Sequence, residues 1–227
     1  MKKLFVWLFI VVLTLTTMVL WLTRGVPTAT NQPGSTATAP VQSSGQAALG
    51  GNFLLTDQQG REVSDTQFRG KLMLVFFGFT RCPDICPLGL TAITGALEKL
   101  GTQAASVVPV FITVDPAHDT PEVLAAYMKN FHPSFTALTG SETQISAAAE
   151  NYKVYHARRS VEASGDGMTK DENASGHMPA GVAYTIDHSG FIYLMGPDGN
   201  YLAHFSHDAT ADSIAGKIAG MLAEGKE

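Results

Sequence analysis

The sequence predicts an α/β fold in which a central mixed sheet is covered by helices. Two observations carry that prediction. Continuous apolar runs, 72–77 and 107–114, alternate with stretches that carry helix start signals. Near the C-terminus two more apolar runs, 191–195 and 201–205, flank the turn Pro197-Asp198-Gly199-Asn200 and are followed by a helical stretch. Strands alternating with helices, then a hairpin and a helix, argue for a sheet with helices on its faces.

Element by element, Phe53-Leu54-Leu55 and Glu62-Val63 flank the turn residues Asp57-Gln58-Gln59-Gly60 and read as a small hairpin. Residues 72–77 (LMLVFF), bounded by Gly70-Lys71 and Gly78, fit a strand buried on both faces. Pro87 to Leu100 reads as a helix with proline in its first turn and Gly101 at its end. Residues 107–114 form a second buried strand. Thr120-Pro121-Glu122 supplies an N-cap, an N1 proline and an early carboxylate for the next helix. Ser141-Glu142-Thr143-Gln144 has capping-box spacing before a third. Tyr152 to Tyr155 reads as a short strand, and 157–180 as a polar surface loop. Strands at 182–186, 191–195 and 201–205 and a helix from about Thr210 to Glu224 close the chain. With the cysteines just after the first long strand, a thioredoxin-like three-layer arrangement fits best.

The 227 residues, 45% of them hydrophobic, allow one packed domain plus extra segments. A net charge of -5 gives no electrostatic reason to expect nucleic acid as a partner. Met1-Lys2-Lys3 precedes an uncharged run from Leu4 to Leu22. As a helix it spans about 28 Å, close to a bilayer's hydrocarbon thickness. The flanking lysines orient the chain with its remainder outside the cytoplasm. A cleaved signal peptide is the competing reading, but the run is long for one and the only nearby A-x-A pattern, Ala37-Thr38-Ala39, lies far downstream. The expectation is therefore a membrane anchor over 1–24, a Thr/Ala/Gly/Pro/Ser/Gln-rich flexible linker over 25–50, and a folded domain over 51–227. That places the protein in a bacterial-type inner membrane as a single-pass chain, its soluble domain on the periplasmic side.

The chain has two cysteines, Cys82 and Cys86, in Cys82-Pro83-Asp84-Ile85-Cys86-Pro87. Pro87 biases Cys86 away from the α conformation, toward the N-cap of the following helix. The helix dipole there favours thiolate and lowers its pKa. A structural disulfide is the bland alternative. Closing a loop of about five residues restricts the unfolded chain by only about 2 kcal/mol, little use to a core of this size. Metal binding and thiol–disulfide chemistry remain, and the spacing alone does not choose between them.

Seven histidines are available: His118, His132, His156, His177, His188, His204 and His207. His188 stands out because it lies between two strands, in the loop that a thioredoxin-like sheet places against the cysteines. Two thiolates and an imidazole form a soft, three-coordinate set that suits copper, Cu(I) above all with Cu(II) as a second state. Zinc's structural sites take four ligands, and no fourth is evident. His177-Met178 is an alternative or auxiliary copper site in the polar loop. Asp115 and Asp119 either orient a ligand from behind or serve as turn and cap residues around Pro116 and Thr120.

Four ordered stretches carry a resemblance. Phe77-Gly78-Phe79-Thr80-Arg81-Cys82-Pro83-Asp84-Ile85-Cys86-Pro87 resembles the C-x-x-x-C signature of the SCO/SenC family. Val114-Asp115-Pro116 with Asp119-Thr120-Pro121, then Leu138-Thr139-Gly140, are similar to two further family stretches. Ile186-Asp187-His188-Ser189, followed by Tyr193-Leu194-Met195-Gly196-Pro197-Asp198-Gly199, resembles the segment carrying the family's metal histidine. The resemblance implies a membrane-anchored thioredoxin-like copper chaperone with ligands Cys82, Cys86 and His188. It also implies partners in cytochrome c oxidase subunit II, whose binuclear copper centre it would metallate or whose thiols it would reduce, and in other copper carriers. His118 stands where the family commonly has arginine, and the loop from Arg158 to Ala180 is longer than usual. The rival classes are a thiol–disulfide oxidoreductase, with Cys82 and Cys86 as its redox pair, a copper or redox sensor, and a peroxiredoxin-like peroxidase.

Overall fold

The computed structural model describes residues 49–160 and 184–224. Strands β1 (Leu54–Asp57) and β2 (Glu62–Ser64) form the expected antiparallel hairpin, with Leu55 opposite Val63. Strand β3 (Leu72–Gly78) is buried at all seven positions, as its unbroken apolar run requires. Helix α1 (Ile85–Leu100) leads to β4 (Val107–Thr113), which runs parallel to β3. Helix α2 (Pro121–Met128), β5 (Thr136–Thr139) and α3 (Glu142–Asn151) follow. Then come β6 (His156–Ser160), β7 (Tyr184–His188), β8 (Ile192–Met195), β9 (Tyr201–Phe205) and α4 (Ala211–Glu224).

Seven strands form one mixed sheet in the order β2-β1-β5-β4-β3-β8-β9. The parallel core β3-β4-β5 is flanked by antiparallel pairs on both sides. Helices cover both faces. Phe76 meets α1 at Gly89, where a Cβ would fall 2.9 Å from the Phe76 ring, so only glycine lets helix and strand approach so closely. The next residue, Phe77, points the other way and packs on Tyr152 beyond α3, with ring centroids 5.3 Å apart. Helices α1 and α4 pack against each other. Three layers with a central mixed sheet are thus present.

The helix caps match their sequence signals. Thr120 Oγ1 accepts from Val123 N–H ahead of α2, and Ser141 and Gln144 close a reciprocal capping box on α3. Other boundaries moved. Helix α1 starts at Ile85, two residues before Pro87, because a proline within the first turn lacks only an N–H that has no partner there anyway. The stretch 152–155 is not a strand. Tyr152 caps α3 and is buried, and strand β6 begins at His156 and takes up the first residues, 157–160, of the stretch that reads as loop. Strand β5, not expected from the pattern, is four residues long with a threonine at each end. Strand β7 begins at Tyr184 and carries His188 as its last residue; positions 182–183 lie outside the described residues.

Strands β6 and β7 pair only with each other, as a separate antiparallel ribbon. Among the described residues no helix is long and apolar enough to cross a membrane. The expected anchor over 1–24, and the linker up to residue 48, lie outside the described residues.

Candidate metal centre

The cysteine loop leaves the C-terminal end of β3 and enters α1 at once. Cys86, in the first turn of α1, is fully buried, and Cys82 is partly buried. Both are free thiols rather than a disulfide. Gly78 makes the room: a Cβ at that position would lie 2.6 Å from Cys86 Sγ and 2.9 Å from the Phe111 ring. No side chain fits between strand and sulfur.

The two sulfurs divide their charge unequally. Cys82 is pulled down to about 4 by the hydrogen bond it receives from Cys86, against the cost of burial, with His188 and the backbone N–H groups of Cys86 and Asp84 adding to it. Cys86 moves the opposite way, raised first by burial and then by its neighbour Cys82. The helix start alone favours thiolate on Cys86. Instead, desolvation outweighs the helix terminus, and the half-open Cys82 holds the negative charge.

His188 closes the group from the far side. Its Nε2 lies 3.4 Å from Cys86 Sγ, while Nδ1 lies 3.3 Å from the Ser189 carbonyl, an atom that only accepts. The tautomer sets what the ring can do: a proton on Nε2 donates to sulfur, as the acidity of Cys82 requires, whereas a proton on Nδ1, shared with the Ser189 carbonyl, frees the Nε2 lone pair for an ion. Phe79 meets the imidazole edge-on at 5.7 Å and 84°, which fixes the plane of the ring. One donor atom each from Cys82, Cys86 and His188 lies within 4.8 Å of the other two. Two sulfurs and one imidazole nitrogen suit a soft ion of low coordination number.

A second group, Asp115, His118 and Asp119, has the same mutual spacing, yet its carboxylates are already saturated. Asp119 accepts from Thr80 N–H at 3.0 Å, Thr80 Oγ1 at 2.6 Å and Thr113 Oγ1 at 2.6 Å, with His118 Nδ1 at 2.9 Å. Asp115 accepts from Arg81 at 2.9 Å, Arg158 at 3.1 Å and the Tyr184 hydroxyl at 2.9 Å. Both aspartates are fully buried and serve as anchors for neighbouring segments.

Of the other histidines, His132 bonds Ser134, His204 bonds Tyr201, and His207 is exposed. His156 pairs directly across the ribbon from His188 and so shares its face. His177 and Met178 lie outside the described residues. Sequence reasoning missed Arg81, Arg158 and Tyr184, because nothing in their local context announces that they converge on one buried carboxylate.

Comparison with known proteins agrees with this geometry. The SCO1/SenC family model matches residues 41–223. A SCO2-like protein of Rickettsia prowazekii is 46% identical over 166 residues, 73% of either chain. The structure described as Bradyrhizobium japonicum ScoI with copper bound superposes with a TM-score of 0.63 at 36% identity, covering 76% of this chain and 99% of that one. Arabidopsis thaliana ScoI with copper bound gives 0.66 at 34% identity, covering 78% and 99%. Sequence motifs, sheet topology and similarity over residues 41–223 converge, and the chain belongs to the SCO1/SenC family.

Proposed function

We propose that this chain is a copper metallochaperone that holds its cargo between Cys82, Cys86 and His188. The observation that carries the reading is the approach of the three donor atoms to within 4.8 Å of one another. Its donor chemistry suits Cu(I), and two related proteins of known structure are described with copper bound. Cys82, the more open sulfur, is the side from which an incoming thiol would take the ion by ligand exchange. The receiving partner, on the family resemblance, is cytochrome c oxidase subunit II at its binuclear copper centre, with other copper carriers upstream. The apolar run 4–22 behind Lys2 and Lys3 supports a single-pass anchor in a bacterial-type inner membrane, with the domain on the periplasmic side.

X-ray absorption on the reduced full chain loaded with Cu(I) tests the ligand set by counting sulfur and nitrogen neighbours. Two sulfurs and one nitrogen are expected, with the nitrogen lost in His188→Ala. An unchanged copper environment in that variant would sink the assignment.

A second reading has its own support. An unbridged cysteine pair with one sulfur acidified and the other kept protonated is the arrangement of a thiol–disulfide reductant, Cys82 attacking and Cys86 resolving. That chemistry needs no imidazole. Disulfide reduction of an oxidase-derived peptide at undiminished rate in His188→Ala would favour it.

A further inference from the structure

The ribbon β6–β7 that carries His188 shares no ladder with the seven-stranded sheet that carries the cysteines. Something else must hold nitrogen and sulfur in register. Alternation along the ribbon puts His156, Arg158, Tyr184, Ile186 and His188 on one face, and Ile186 is buried against the domain. Two residues of that face, Arg158 from β6 and Tyr184 from β7, reach the same buried group, Asp115, at 3.1 and 2.9 Å. Asp115 lies just past the end of β4. The third donor to it is Arg81 at 2.9 Å, the residue immediately before Cys82.

The four side chains interlock beyond their hydrogen bonds. The Arg81 and Arg158 guanidinium carbons lie 4.4 and 4.5 Å from the Tyr184 ring centroid, so one phenol ring packs against both cations. A buried carboxylate with three donors costs more to expose than any one of its contacts contributes, so the cluster resists opening piecemeal. It ties the ribbon, which has no ladder to the main sheet, to two segments that the β3–β4 ladder already brings together: the cysteine loop and the end of β4.

We propose that Asp115, Arg81, Arg158 and Tyr184 act as a clasp that positions His188 against Cys82 and Cys86. They are positioning residues, and none of them is assigned a bond to the ion. The inference rests on the ligand reading above and adds what sets its geometry.

The variants Tyr184→Phe and Arg158→Met separate the two claims. Phe keeps the ring and loses the hydroxyl. Met keeps the stem of Arg158, whose side chain is 44% exposed, so little packing is lost. In the reduced, Cu(I)-loaded full chain, X-ray absorption should still count two sulfurs in each variant while the nitrogen contribution falls. Copper retention should weaken by about tenfold to a hundredfold, the usual effect of removing an outer support of a ligand. Lower thermal stability with an unchanged copper environment and retention would overturn the clasp, because a merely structural cluster behaves in that way. Should Tyr184→Phe not fold, Arg158→Met decides by the same readings. Loss of nitrogen in His188→Ala but not in either clasp variant sinks the clasp alone. No loss in His188→Ala sinks the ligand assignment beneath it.

Discussion

His188 Nε2 and Cys86 Sγ lie 3.4 Å apart although 102 positions separate them in sequence. One atom ends a two-stranded ribbon, and the other sits in the first turn of the helix that follows the central strand. The site is therefore a product of tertiary structure, and its properties follow from what surrounds each donor.

Charge should reside on Cys82. In the metal-free reduced chain, ultraviolet thiolate absorbance should titrate with a midpoint near 4, and Cys86→Ala should move that midpoint up because its hydrogen bond is the largest cause of the shift. The stability linkage has a definite sign. A depressed Cys82 adds stability that is fully present above its reference value of 9.0 and is lost as pH falls toward about 4. Cys86, raised, ionises above pH 9 only in the unfolded chain, so its linkage lowers stability at still higher pH. The difference in unfolding free energy between wild type and Cys82→Ser should widen from acid toward pH 9. A flat difference would contradict the assignment.

Gly78→Ala should cost about 1–3 kcal/mol, the range for overpacking a filled core. The new methyl would meet Cys86 sulfur at 2.6 Å and the Phe111 ring at 2.9 Å, and neither lies on a long flexible side chain. Urea unfolding gives the cost, and faster alkylation of Cys86 would report its displacement. An unchanged midpoint would mean that the strand yields where the packing says it does not.

Asp119→Asn should destabilise by about 1–3 kcal/mol, since an amide turns a donor toward groups that all donate. The carboxylate serves Thr80 twice and Thr113 once from a fully buried position. His118→Ala, at the partly exposed end of the same chain of contacts, should stay within about 0.5 kcal/mol. Equal losses in the two variants would refute the asymmetry.

Copper cargo should stabilise the fold. Free Cu(I) at about 100 times its dissociation constant adds about 2.7 kcal/mol to unfolding, and a competing chelator should reverse the rise in melting temperature. His188→Ala should need more copper for the same rise. Calorimetry with and without the ion measures both.

Much of this was legible in the residues. The run at 72–77 gave the central strand, and the capping signals at Thr120 and Ser141 gave two helix starts to the residue. Cys82, Cys86 and His188 were singled out from chemistry, position and family likeness, and they do converge. What stayed hidden was whatever depends on distant partners. Strand β5 is too short and too rich in threonine to show a period, and it exists because β4 and β1 pair on either side of it. Arg158 and Tyr184 look like ordinary ribbon residues until Asp115 is placed beneath them. The acidity of Cys82 depends on the depth at which folding sets Cys86, a quantity the helix signal does not contain.

Because Ser160 and Tyr184 both belong to the small ribbon, neither boundary of the stretch between them pairs with a strand of the larger sheet. Insertions or deletions there need not shift the register of a single pair in the main body. Strand pairing therefore ties the length of that interval to the small ribbon alone, while the sulfur donors are built on β3 and α1.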